Sequence, residues 1–423
     1  MRFWWIFKAA IVRGLFAIAL SLAFVTASYA QSQIDAVADY NAKEPLKSSV
    51  WGVFAVNMNG DTLVNYNGSQ RMVPASNVKL ITTGVALNTL GADYRFKTGI
   101  GYVGEIHGET LVGDLYILGG ADPTIGVREN VENLFLKWKG ILDNAGIKTI
   151  SGRLIADSRY LKDGDIEKSW LFEDIESGDA LVPRGLNFKK NVKDYDHLFS
   201  RDFVAQPSPM DTCANAFRKY LEKNGIHVTG GTSDSSSPEI ASRDGIIELG
   251  CTYSSPLSEI VKETNYRSDN FFAETMYRLL SDRYLPLPDA LTQMGLETRG
   301  RVQLLDGCGL SRKDYVSPEF FVSFLTKMYG TKVFESYLKS LPQPGEGTLS
   351  RRLYKASDAV KKRVYMKSGS MNGVCCYSGY ILPQNGEDPE IIAFSLMTNN
   401  VIDPHNKLGG VIDEIIQSLA GLN

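Results

Sequence analysis

The chain reads as an α+β protein: an antiparallel sheet with flanking helices, split by an inserted mixed α/β domain. Three observations carry this reading. A hairpin and a strongly apolar helix stand near the front, and strand-like runs followed by a helix stand at the back. Between Tyr94 and Gly250 the texture changes to short strand-like stretches punctuated by glycine turns. Elements from both ends of the chain suit one sheet with helices packed on it.

In chain order, the first feature is a targeting segment. Arg2, Lys8 and Arg13 supply the positive end, Leu15 to Val25 is apolar, and Ser28-Tyr29-Ala30 offers small residues for cleavage. Residues 1–30 are therefore expected to be a signal peptide. A retained anchor is the alternative, but the apolar run is short for a bilayer span.

Ser49 to Met58 is rich in β-branched and aromatic residues, Asn59-Gly60 marks a tight turn, and Asp61 to Tyr66 returns. After Pro74, the residues Leu80, Ile81, Val85, Leu87 and Leu90 recur at helical spacing from Ser76, and Gly91 closes the run. In the middle body, Thr110 to Leu118 and Arg153 to Ala156 read as strands. Val131 to Asn144 and Thr212 to Lys223 read as helices. Helical spacing returns over Pro256 to Arg283, then over Pro318 to Tyr329 and Val333 to Lys339. Strands follow at Arg363 to Lys367, Val374 to Leu382 and Ile391 to Thr398, and a helix spans Asn406 to Leu419.

Composition narrows the function. The 423 residues have 43% hydrophobic and 22% charged content, ordinary for a globular protein of two domains or of one domain with a large insertion. The net charge is −3, and loss of a basic leader makes the remainder more acidic. Without a basic stripe, nucleic acid is a poor partner. The five cysteines, Cys213, Cys251, Cys308, Cys375 and Cys376, form no CxxC pair. Most read as small buried hydrophobes, with room for one disulfide. On a strand, Cys375 and Cys376 would face opposite sides. The four histidines, His107, His197, His227 and His405, stand in no nucleophile motif. No HExxH or clustered Cys/His set appears, so neither a Ser-His-Asp triad nor a metal site has sequence support.

Three short strings carry chemistry. Ser76 and Lys79 lie three apart at a helix start, where side chains are neighbours. A desolvated lysine can lose its proton and serve as base to the hydroxyl. Alone the string is cheap, for Ser336 and Lys339 fit it too and read as a surface helix face. Ser268-Asp269-Asn270 precedes an apolar helical run from Phe271. Capping is its ordinary use. Its chemical use is a Ser268 hydroxyl that relays protons between Lys79, the nucleophile and a leaving amine, with Asn270 orienting an amide. Lys367-Ser368-Gly369 ends a strand-like run. A cation beside a hydroxyl holds a carboxylate. Gly369 would clear space for a peptide at the strand edge. The Ser370 N–H could pair with that of Ser76 as an oxyanion hole.

In order, these strings match the serine–lysine, Ser-Asp-Asn and lysine–hydroxyl–glycine set of penicillin-binding proteins and class A β-lactamases. Over nearly the whole mature length the chain resembles the class C low-molecular-mass penicillin-binding proteins, the D-alanyl-D-alanine carboxypeptidase/endopeptidase family. Pro74-Ala75-Ser76 through Leu90-Gly91 resembles the nucleophile helix, and Gly119-Gly120-Ala121-Asp122-Pro123 a turn of the insertion. Asp306-Gly307-Cys308-Gly309-Leu310-Ser311 departs from Asp-Gly-Ser-Gly-Leu-Ser at Cys308. The Leu341 to Leu349 loop is one residue short of the usual length, and Ser368 replaces the commoner threonine. Trp170 with Glu173-Asp174 resembles a stretch lining the site, without an assigned ligand role.

The resemblance implies a serine β-lactamase/transpeptidase-like catalytic domain (31–95 with 255–423) split by one inserted domain (96–254). It implies an exported D,D-peptidase of the periplasm or cell envelope. Ser76, Lys79 and Ser268 would be catalytic, and Asn270, Lys367, Ser368, Gly369 and Ser370 would bind substrate. Peptidoglycan stem peptides ending in D-Ala-D-Ala and β-lactam antibiotics would be the partners, with no metal or organic cofactor. A β-lactamase or esterase on the same fold and a catalytically silent wall-binding protein are the rivals. Membrane association would be peripheral or through an uncleaved leader.

Overall fold

The computed structural model describes residues 39–422, apart from the short segments 128–129, 163, 194–203, 206–208, 236–239, 241, 385–390 and 404–406. The expected leader, His197 and His405 lie outside the described residues.

The front hairpin is β1 (Val50–Asn57) with β2 (Thr62–Tyr66). Asn57 ties its turn by accepting the backbone N–H of Asn59 and Asp61. The middle of the chain supplies β3 (Lys97–His107), β4 (Thr110–Leu118), β5 (Thr149–Ile150), β6 (Leu154–Asp157), β7 (Val192–Lys193), β8 (Val204–Ala205), β9 (His227–Val228), β10 (Thr232–Asp234) and β11 (Ile247–Tyr253). The back supplies β12 (Val364–Met371), β13 (Val374–Ile381) and β14 (Ile392–Asn399).

One five-stranded sheet runs β12-β13-β14-β1-β2, with every pairing antiparallel. It is covered on both faces, so β1 reads as a continuous apolar run rather than an alternation. Phe54 and Val56 face a core built with the helices Val78–Leu90, Leu257–Arg267, Asn270–Arg283 and Pro318–Tyr329. Trp51, Val53 and Ala55 face a second core closed by the helix Leu408–Ala420. Strand alternation likewise sends Cys376 to the first core and Cys375 toward the second.

The helix Val78–Leu90 is buried from Val78 through Leu87, which is why it is apolar around its circumference. It starts two residues later than the spacing predicts, because Ala75–Asn77 forms a 3₁₀ turn first. The predicted Pro256–Arg283 helix is in fact two. Ser268 takes left-handed angles (φ 58°, ψ 42°) between Leu257–Arg267 and Asn270–Arg283. Helical periodicity persists across such a break, so the apolar pattern does not reveal it.

The second sheet draws all seven strands from residues 97–253, in the order β10-β6-β4-β3-β11 with β5 and β9 added beside β4. It is mixed: β3 pairs antiparallel with β4 and β11, whereas β4–β6 and β6–β10 are parallel. The helices Val131–Asn144 and Pro209–Lys223 cover it, with the Trp138 and Phe217 rings meeting edge-on at 5.3 Å. The room the sequence left for one disulfide is not used. All five cysteines are free; Cys213 and Cys376 are buried in the apolar cores, and Cys308 is buried beside the carboxyl groups of Glu274 and Asp306. Among the described residues, no helix is long and apolar enough to cross a membrane.

Candidate active site

The three strings converge at the end of the five-stranded sheet, where β12 is the edge strand. Ala75, with φ 47°, and the 3₁₀ turn place Ser76 just ahead of the buried helix. Lys79 follows one turn later with no exposed surface. Its Nζ lies 2.9 Å from Ser76 Oγ, 2.7 Å from Asn270 Oδ1 and 2.7 Å from the Cys308 carbonyl oxygen. Burial pushes the Lys79 ammonium below its usual 10.5, although the nearby Cys308, Asp306, Asp269 and Glu274 oppose the shift. A neutral amine within hydrogen-bond distance of a hydroxyl is the arrangement a lysine base requires.

Ser268 occupies the break between two helices. Asp269 caps the second by accepting the Phe272 N–H at 3.0 Å, and its other oxygen pairs with Lys190. The left-handed serine costs about 1–2 kcal/mol. It aims the hydroxyl across the cleft, where Lys367 donates to it at 2.9 Å. The sequence reading gave Ser268 a proton relay between Lys79, the nucleophile and the leaving amine; it did not foresee that Lys367 holds the hydroxyl. Asn270 lies between the two sides, accepting from Lys79 and donating to the Asp179 carbonyl at 3.2 Å.

Lys367-Ser368-Gly369 does not end its strand, because β12 continues to Met371. Lys367 is fully buried and also donates to the Ser368 carbonyl. Burial, then the charge of Lys79, pushes it well below 10.5, since two ammonium groups cannot both be accommodated cheaply here. Ser368 donates to Thr348 Oγ1 at 2.7 Å, which gives the edge a pair of hydroxyls. Gly369 also has a packing reason that the sequence does not reveal. A Cβ there would stand 2.8 Å from Asn77 N and Pro74 O, so glycine lets the strand close against the nucleophile turn. Met366 N–H donates outward to the Pro342 carbonyl, away from β13. Alternation therefore turns the N–H groups of Ser368 and Ser370 to the same open edge. Ser370 itself is exposed.

A turn that the sequence reading did not put to chemical use closes the back of the site. Asp306 accepts from Cys308 N (3.1 Å), Gly309 N (2.6 Å), Ser311 N (2.7 Å) and Trp170 Nε1 (2.7 Å). Gly309, at φ 79°, brings the turn so close that a Cβ would lie 1.9 Å from the Ala75 carbonyl oxygen. The contact of residue 308 with Lys79 comes from the main chain, so a cysteine in place of the family's serine leaves it intact. Main-chain contacts carry no residue-type signal, which is why this one was missed. Thr348 was missed because a threonine in a glycine-flanked loop looks ordinary.

Glu274 accepts the Gly307 N–H at 2.6 Å and is pushed up to about 8 by burial and the charge of Asp306. Asp314 is pushed up to about 10 by the same two causes. Glu274, Asp306 and Cys308 lie close enough to surround an ion. Both Asp306 oxygens are already taken by N–H donors, however, and the group is built for sharing protons rather than holding a metal.

Ser336 and Lys339, the decoy pair, sit on a short helix whose Lys339 is exposed and paired with Glu335 at 2.6 Å.

Comparison with known proteins follows the same lines. The family model of the D-Ala-D-Ala carboxypeptidase 3 (S13) family matches residues 33–196 and 201–415. The chain belongs to the S13 family. It is thereby a serine-type D,D-peptidase of the class C low-molecular-mass penicillin-binding group. A D-alanyl-D-alanine carboxypeptidase of Actinomadura sp. (strain R39) is 26% identical, over 88% of this chain and 81% of the relative. A D-alanyl-D-alanine carboxypeptidase of Haemophilus influenzae is 24% identical, over 89% of this chain and 90% of the relative. In fold, this S13 peptidase is similar to the crystal structure of penicillin-binding protein 4 from Haemophilus influenzae. The TM-score is 0.76 at 24% identity, covering 91% of this chain and 99% of the other. A predatory peptidoglycan endopeptidase from Bdellovibrio bacteriovorus is more distant, with a TM-score of 0.57 at 16% identity, over 89% and 92% of the two chains.

Proposed function

We propose that this S13 peptidase cleaves D-Ala-D-Ala or cross-link bonds in peptidoglycan stem peptides through a Ser76 acyl-enzyme, and that β-lactams acylate the same serine. The single observation that carries the assignment is the buried Lys79 amine 2.9 Å from Ser76 Oγ, with no competing base in a recognisable motif. Neutral Lys79 takes the Ser76 proton as the oxygen attacks the scissile carbonyl. The N–H groups of Ser76 and Ser370 receive the oxyanion. As the C–N bond breaks, Ser268, hydrogen-bonded to Lys367, relays the proton taken up by Lys79 to the leaving amine, which returns Lys79 to its neutral state. Lys367, Ser368 and Thr348 draw in the substrate carboxylate, Asn270 orients the peptide, and Gly369 keeps the strand against the nucleophile turn. Water, or an amine from a second stem peptide, releases the acyl group.

The catalytic domain in this reading is 31–95 with 255–423, and 96–254 is the insert. Residues 1–30 direct export to the periplasm or cell envelope. The relatives' names place them among carboxypeptidases and penicillin-binding proteins, which supports a wall substrate.

Intact-mass measurement after benzylpenicillin tests the assignment. One adduct is expected on the unmodified chain and none on Ser76→Ala. An adduct that survives that substitution would sink it. Incubation with pentapeptide and with cross-linked muropeptides, read by mass, tells carboxypeptidase from endopeptidase action. Rapid turnover of a chromogenic cephalosporin would point to a β-lactamase instead.

A further inference from the structure

The middle body of the chain reaches into the site through Lys190, which pairs with Asp269, and through the segment 169–179. Ser169 Oγ meets Ser311 Oγ at 2.7 Å, Trp170 Nε1 donates to Asp306 Oδ2 at 2.7 Å, and the Asp179 carbonyl receives Asn270. The middle contact is a link in a buried chain. Trp170 is 7% exposed and Asp306 1%. Asp306 gathers the N–H groups of Cys308, Gly309 and Ser311, and this fold of the turn presents the Cys308 carbonyl to Lys79 Nζ at 2.7 Å. The turn is pinned from the helix side as well, since Thr82 Oγ1 donates to the Gly307 carbonyl at 2.7 Å.

We propose that Trp170 and Asp306 are positioning residues for the lysine base, through which the inserted body sets the state of Lys79. Both act on the amine through the turn at 306–311. Asp306 shapes the turn whose carbonyl holds the amine and places a negative charge behind it. The Trp170 indole N–H compensates part of that charge as a side-chain donor from outside the turn. This inference rests on the reading of Lys79 as the base.

The charged and titratable groups around Lys79 are few. Asp306, Glu274, Asp269 and the Cys308 thiol favour the ammonium, and Lys367 faces it across the cleft. Asp269 is paired with Lys190, and Asp314 stands beyond Asp306. The two substitutions that address the link therefore act in opposite directions. Removing the carboxylate charge in Asp306→Asn favours the neutral amine. Removing only the donor in Trp170→Phe leaves Asp306 less compensated and favours the ammonium.

The experiment is the second-order rate constant for acylation of the full chain by benzylpenicillin, followed across pH. The acidic limb is expected to move to higher pH in Trp170→Phe and to lower pH in Asp306→Asn, by at least half a pH unit each. A role limited to folding would lower the rate or the unfolding temperature and leave both limbs in place, and that result overturns the proposal. If Asp306→Asn does not fold, the limb of Trp170→Phe decides alone. Failure of the unmodified chain to acylate would reject the reading of the site, whereas acylation with unmoved limbs would reject only this link.

Discussion

The two walls of the cleft are built differently. On the Lys79 side the ionisable groups are buried: the amine has three partners, and behind it the carboxyl groups of Glu274, Asp306 and Asp314 crowd together. On the Lys367 side an edge strand presents two adjoining hydroxyls, Ser368 and Thr348, beside unpaired strand edge. The first wall can hold a proton balance that water would collapse, because desolvation is what lowers a lysine and raises a carboxyl group. The second can add a peptide as an extra strand. In the proposed mechanism, proton chemistry and substrate docking fall to opposite walls, with Lys367–Ser268 the polar bridge between them.

Lys79→Met is the strongest way to break that division. It keeps most of the side-chain volume and removes the base, so the benzylpenicillin acylation rate should fall by about 10³-fold or more. The far-UV spectrum should stay native. A fall below about tenfold would move the base to the other wall.

Glu274→Gln probes the enclosed wall through stability. In the folded protein Glu274 keeps its proton up to about 8, whereas an unfolded glutamate loses it near 4.5. Between those values the native state binds the extra proton, so stability falls as pH rises. The substitution should flatten this slope and make the protein more stable at pH 8 than the unmodified chain by roughly 3–5 kcal/mol. Denaturant midpoints at pH 5 and pH 8 measure it, and identical slopes in both proteins would refute a protonated Glu274.

Thr348→Val sharpens the open wall and carries the smallest effect. Ser368 loses its acceptor, worth about 1 kcal/mol. KM for peptides with a terminal carboxylate should rise about threefold to tenfold, with kcat little changed. An equal loss in kcat would place the hydroxyl pair in the chemical step.

Much of this was legible beforehand. The spacing of Ser76 and Lys79 encodes their proximity, because three residues along a helix make neighbours. The apolar run after Ser76 encodes burial, and the hairpin and end strands encode the sheet. What was not legible shares one feature. The left-handed turn at Ser268, the extension of β12 to Met371 and the close packing of Gly369 on the nucleophile turn depend on what packs against each segment. A left-handed serine between two helices keeps their apolar period, and a glycine that admits another backbone looks like any other.

By itself, then, the sequence determined the residue types and their local geometry: a serine and a lysine one helical turn apart, a capped helix start, and a strand bearing a lysine and a hydroxyl. Tertiary structure decided the partners, with Ser268 held by Lys367, Lys79 by a main-chain carbonyl, and Asp306 by a tryptophan from the middle of the chain. The physical reason is range. Helical neighbours follow from backbone repeat alone, but desolvation and hydrogen bonds to main-chain atoms exist only once distant segments exclude water together.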